Sequence, residues 1–121
     1  MLKQSLHGQD PWLPLPYARA AGKIWAGKDT STKATIVSPI FVTDDDLVKL
    51  KETKMRLAIF QGEADLICSD TKVLVGRLNK IGMQFDYFFK KGVPHVYPVF
   101  PSWVPEAAEA RRTCAALING L

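Results

Sequence analysis

The sequence predicts an α/β domain in which two parallel strands alternate with helices, in the order strand, helix, strand, helix. Three observations carry that expectation. Residues 55–60, Met-Arg-Leu-Ala-Ile-Phe, form a short, nearly continuous apolar run ended by Gly62, as a strand buried on both faces does. Residues 84–89 set Phe85, Tyr87 and Phe89 against Gln84, Asp86 and Phe88, the period of a second strand. Between them Leu74, Leu78 and Ile81 fall on one face of a helix over 70–81, and the short links imply parallel strands with a right-handed crossover.

The chain before the first strand is less regular. Pro11, Pro14 and Pro16 forbid a helix in that stretch, so residues 1–16 read as an extended arm. Residues 17–27 are alanine-rich and predict a short helix carrying Ile24 and Trp25, with Trp12 and Trp25 as packing anchors. A polar loop follows, then the proline-broken apolar connection Ile36-Val37-Ser38-Pro39-Ile40-Phe41. Asp44, Asp45 and Asp46 open the next helix, where acids suit the positive end of the helix dipole and any of the three can cap it. Adjacent side chains diverge, which argues against one metal ion gripped by all three. Gly82 stands where the 70–81 helix should stop. Residues 92–103 are a loop with three prolines, and Pro105 starts a last helix with a coreward stripe of Ala107, Ala110, Cys114, Leu117 and Leu121. The division is therefore an arm and short helix over 1–37 and an α/β segment over 38–121.

Composition excludes several classes of function. At 121 residues, 47% of them hydrophobic and 23% charged, the chain is one ordinary globular domain with a modest core. The net charge is +4, but the 16 Lys and Arg are scattered, without the run that tracks a phosphate backbone, so no nucleic-acid partner is expected. No segment approaches the length of a membrane span, and no apolar run of signal-peptide length follows Met1. Cys68 and Cys114 form neither a disulfide framework nor a metal pair, which suits a reducing, cytoplasmic setting.

The chemistry lies beyond the carboxyl ends of the two strands, where open parallel sheets gather ligands and catalytic groups. Asp65 follows Gly62 at the end of the first strand, and His95 follows Pro94 past the end of the second. If the strands are neighbours, both side chains project from one edge, and an imidazole that donates to a carboxylate is oriented as a general base requires. Taken singly, Asp65 also reads as a strand-end turn residue and His95 as a loop histidine. Cys68 is a weaker nucleophile candidate, since it should start the next helix, away from the reacting position. Tyr97, Phe100 and Trp103 either line an acyl pocket near His95 or cover the sheet edge. Glu63 makes no working carboxylate pair with Asp65, and His7 reads as a solvent-exposed tail residue.

From about residue 38 to residue 121 the chain resembles the C-terminal portion of an α/β-hydrolase, in the esterase/lipase branch with hormone-sensitive-lipase-like enzymes. The matching pieces are Ser38-Pro39, Gly62-Glu63-Ala64-Asp65-Leu66, Arg77-Leu78-Asn79-Lys80-Ile81-Gly82, Asp86-Tyr87, Pro94-His95-Val96 with Phe100, and Pro105-Glu106-Ala107. The resemblance implies a partial α/β-hydrolase fold lacking the N-terminal half of its sheet. It also implies Asp65 as triad acid, His95 as triad base, and hydrolysis of a small carboxylic ester through an acyl-serine without metal or organic cofactor. The family's Gly-x-Ser-x-Gly elbow and glycine-rich oxyanion loop are absent: Ser5, Ser31, Ser38, Ser69 and Ser102 all lack flanking glycines on both sides. Where the family commonly has His-Gly-Phe, this chain has His95-Val96-Tyr97. The nucleophile must then come from other sequence or a second chain, the chain alone should be inactive, and the open half sheet should self-associate, bind a partner or be only marginally stable. The rival expectation is a non-catalytic interaction module on the same fold. A flavodoxin-like ligand-binding domain also fits the alternation but lacks a glycine-rich phosphate loop.

Overall fold

The computed structural model describes residues 10–28, 30, 31, 33–35 and 38–120. His7, Ile36, Val37 and Leu121 lie outside them. The chain forms a mixed α/β domain with two parallel strands flanked by helices, the sheet not closed into a barrel.

The proline-rich arm gives way to α1 (Leu15–Ala26) two residues earlier than expected. Pro14 holds the extended N-cap conformation and Pro16 falls in the first turn, where its missing N–H has no helical partner to lose. Trp25 is not a packing anchor: it is 76% exposed and only Ala26 of this helix is buried. Trp12 is also largely exposed, although its ring lies 5.1 Å from that of Phe100. In α2 (Asp44–Glu52) the cap is Thr43, not an aspartate; its hydroxyl oxygen accepts the Asp46 N–H at 3.1 Å. Asp44, Asp45 and Asp46 fill the first turn behind it. Thr43 wins because its extended backbone stands one residue before the helix, the geometry a cap side chain needs to reach back.

Strand β1 (Ala58–Gly62) pairs in parallel with β2 (Asp86–Lys90), in register from Ala58 opposite Asp86 to Gly62 opposite Lys90. The first strand therefore sits later than the apolar run 55–60. Cross-strand pairing sets its ends, and Met55 and Arg56 stay exposed before it. Nor is it buried throughout: Ala58 is exposed, and only Gln61 and Gly62 are fully buried. A two-stranded sheet cannot cover the start of the strand. Between the strands α3 (Cys68–Lys80) ends at Gly82, whose φ of +66° and N–H bond to the Asn79 carbonyl close the helix. Beyond β2, α4 (Pro105–Asn119) begins on its proline as expected and buries Ala107 and Ala110, while Cys114 and Leu117 are half-buried.

Alternation along β1 divides the apolar side chains between two faces. Ile59 joins Leu47, Leu74, Leu78, Ile81 and Met83 beneath α2 and α3. Phe60 packs with Val93, Tyr97, Phe100 and Ala110 beneath α4. The sheet is thus a middle layer whose carboxyl end is framed by the start of α3 and the loop into α4. Among the described residues, no helix is long and apolar enough to cross a membrane.

Candidate active site

Gly62 ends β1 where the loops that carry Asp65 and His95 touch. A Cβ there would overlap the Val93 carbonyl oxygen and lie 2.6 Å from that of Pro94, so only glycine admits the approach. The loops are then stitched beyond the sheet: Glu63 N–H donates to the Lys90 carbonyl at 2.9 Å and Ala64 N–H to that of Val93 at 3.1 Å. The Glu63 carboxylate accepts the Gly92 N–H at 3.1 Å, which gives it a role in the loop rather than in a carboxylate pair.

This stitching brings the expected acid and base together. His95 Nδ1 lies 3.0 Å from Asp65 Oδ2. The Asp65 side chain is 6% exposed and that of His95 26%, so the acid is enclosed while the imidazole stays reachable. A carboxylate that accepts this bond selects the tautomer with the proton on Nδ1, which leaves Nε2 without one. Asp65 also fulfils its structural reading. Its Oδ1 accepts the Ile67 N–H at 2.9 Å, and its carbonyl accepts the Cys68 N–H, turning the chain into α3.

The His95 loop is held from below and behind. Tyr97 is buried with Val93 and Ala110, and Phe100 packs against that cluster. Trp103 is 79% exposed, so of the three aromatic side chains it neither lines a pocket nor covers the sheet. Arg111 of α4 donates to the carbonyls of Pro98 at 2.9 Å and Phe100 at 2.5 Å, fixing the loop to the helix. Cys68 stands at the start of α3 and is buried, and burial pushes its thiol pKa up, away from a reactive thiolate. Cys68 and Cys114 are both free thiols.

Sequence reasoning missed Asp10. Its buried carboxylate accepts four backbone N–H groups: Trp12 at 2.9 Å and Leu13 at 3.2 Å on Oδ1, His95 at 3.1 Å and Leu66 at 3.3 Å on Oδ2. The Asp10-Pro11 pair signals a turn, which accounts for the two local bonds. Nothing local signals the bonds to residues 56 and 85 positions away. One ligand atom each from Asp10, Asp65 and His95 lies within 4.8 Å of the others, a spacing that a cation can bridge. Comparison with protein-family models, curated proteins and solved structures finds no match to this chain.

Proposed function

We propose that this chain supplies the acid and base of a serine carboxylic-ester hydrolase of the esterase/lipase type, with the nucleophile and oxyanion donors contributed from outside these residues. The observation that carries the reading is the 3.0 Å hydrogen bond between His95 Nδ1 and buried Asp65 at the ends of neighbouring parallel strands. In this mechanism His95 Nε2 takes the proton of a serine hydroxyl as its oxygen attacks the ester carbonyl. It then returns that proton to the departing alcohol. A water molecule repeats the cycle on the acyl-serine and releases the acid. Asp65 holds the ring in the required tautomer and balances the imidazolium. The substrate is a small carboxylic ester, which donates its acyl group first to serine and then to water. The two free cysteines suit a cytoplasmic setting, and the open strand edges and exposed aromatic residues suit self-association or a partner chain.

The purified chain alone should leave p-nitrophenyl butyrate at the buffer rate. The assembly isolated from the source cells through a tag on this chain should hydrolyse it and label on serine with a fluorophosphonate. His95→Ala should reduce that hydrolysis by about 10²–10⁴-fold. Turnover by the chain alone, lost on His95→Ala, would remove the need for an outside nucleophile; an assembly indifferent to the substitution would remove the role of His95.

A second reading, a divalent-cation site on Asp10, Asp65 and His95, rests on their mutual spacing. Against it stand the four N–H donors already occupying the Asp10 carboxylate, which has about four acceptor positions. Zn²⁺ or Mn²⁺ titrated calorimetrically against wild type and Asp10→Ala distinguishes the two: the acid–base reading expects no stoichiometric binding that depends on Asp10.

A further inference from the structure

Asp10 is far in sequence from both members of the pair, yet one of its oxygens touches the loop of each. Oδ2 accepts from Leu66 N–H, the residue directly after the acid, and from the N–H of His95 itself. Oδ1 meanwhile accepts from Trp12 and Leu13, which fixes the carboxylate plane to the arm. Resting on the acid–base reading above, we infer that Asp10 is a positioning residue that clasps the acid loop to the base loop and sets the distance between Asp65 and His95.

The two loops leave different strands, and an imidazole–carboxylate bond at 3.0 Å tolerates little drift before it weakens. A single planar carboxylate accepting from both backbones converts two independent loop positions into one. Bonds from N–H to an ionised carboxylate are stronger than neutral ones, and these are sheltered, since Asp10 is only 6% exposed. Among the hydrogen bonds described, Asp10 bonds to neither the Asp65 side chain nor the His95 ring; it acts through the backbone N–H groups of Leu66 and His95.

The test reads the ring directly. The chain has two histidines, so a His7→Gln background leaves the ¹⁵N signals of a single imidazole. In the parent, His95 should carry its proton on Nδ1. Asp10→Ala should lose that signature, and so should Asp10→Ser, whose single hydroxyl can cap the local turn but has no second oxygen for Leu66 and His95. Asp65→Asn serves as the reference for a broken pair. If Asp65→Asn loses the signature and Asp10→Ser keeps it, the clasp is overturned while the acid–base pair stands. If Asp65→Asn keeps it, the pair itself is overturned, and the clasp with it. Should the Asp10 variants fail to fold, amide exchange in the parent decides: Leu66 and His95 N–H should exchange roughly tenfold or more slowly than exposed loop amides. Exchange at the exposed rate overturns the clasp.

Discussion

Val96 follows His95 with φ 48° and ψ 29°, a left-handed conformation that disfavours a β-branched residue. Left-handed backbone costs an L-residue about 1–2 kcal/mol, and the strain sits next to the candidate base. A glycine here would carry no such penalty. Val96→Gly should therefore stabilise the domain by about 0.5–1 kcal/mol after the extra entropy of an unfolded glycine is deducted. The midpoint of urea unfolding measures it, and an unchanged or lower midpoint would contradict the strain. The opposite sign is expected at Gly62. Its alanine would push against the backbone carbonyls of Val93 and Pro94, destabilising the fold by about 3 kcal/mol, the upper end for overpacking. The same substitution should separate Asp65 from His95, visible in the ring ¹⁵N signals.

At the scale of elements, ion pairs tie the helices to their neighbours. Arg77 of α3 donates to Asp44 Oδ1 at 2.9 and 2.7 Å, to the Ile40 carbonyl at 3.0 Å, and to the Val42 carbonyl, clamping the start of α2. Its hydrogen bond holds the Asp44 carboxyl below the ordinary value of 3.8. In the same sense Lys90 lowers Glu109, and Glu109 raises Lys90, across β2 and α4. A lowered carboxyl contributes stability above its unfolded value and loses it as pH falls through the folded one. A raised lysine contributes below its unfolded value and loses it as pH rises through the folded one. The Lys90–Glu109 link thus operates fully between the ordinary values of 4.5 and 10.5. The Arg77–Asp44 link fails on the acid side. Asp44→Asn should lower the urea midpoint at pH 6 and flatten its decline below pH 4, relative to wild type. Parallel acid limbs for the two proteins would show that this pair contributes nothing to the pH dependence.

Among the described residues, the molecule layers helices on both faces of its sheet and leaves several large apolar side chains exposed. The sheet has two strands among the described residues, so each has an unpaired outer edge. Ile24 and Trp25 on α1, with Val99 and Trp103 near the base loop, are three-quarters exposed or more. Open strand edges and exposed aromatic residues drive association. The sedimentation coefficient should therefore rise with protein concentration, and unfolding midpoints should rise with it. A monomer unchanged across dilution would count against that reading of the surface.

The sequence by itself determined the α/β class, the strand–helix–strand–helix order, the stop at Gly82 and the start at Pro105. These rest on periodicity and backbone chemistry, which act over a few residues. It also singled out Asp65 and His95, because parallel topology sends both to one sheet edge. Only the tertiary structure decided where the strands begin and end, since β2 rather than the apolar run fixes the limits of β1. It moved the α2 cap to Thr43, left Trp25 in solvent, and gave Arg111 the task of holding the loop after His95. Above all it brought Asp10 between the loops of Asp65 and His95. A hydrogen bond spanning 85 residues leaves no mark on local pattern; it exists only once the sheet has set both loops side by side.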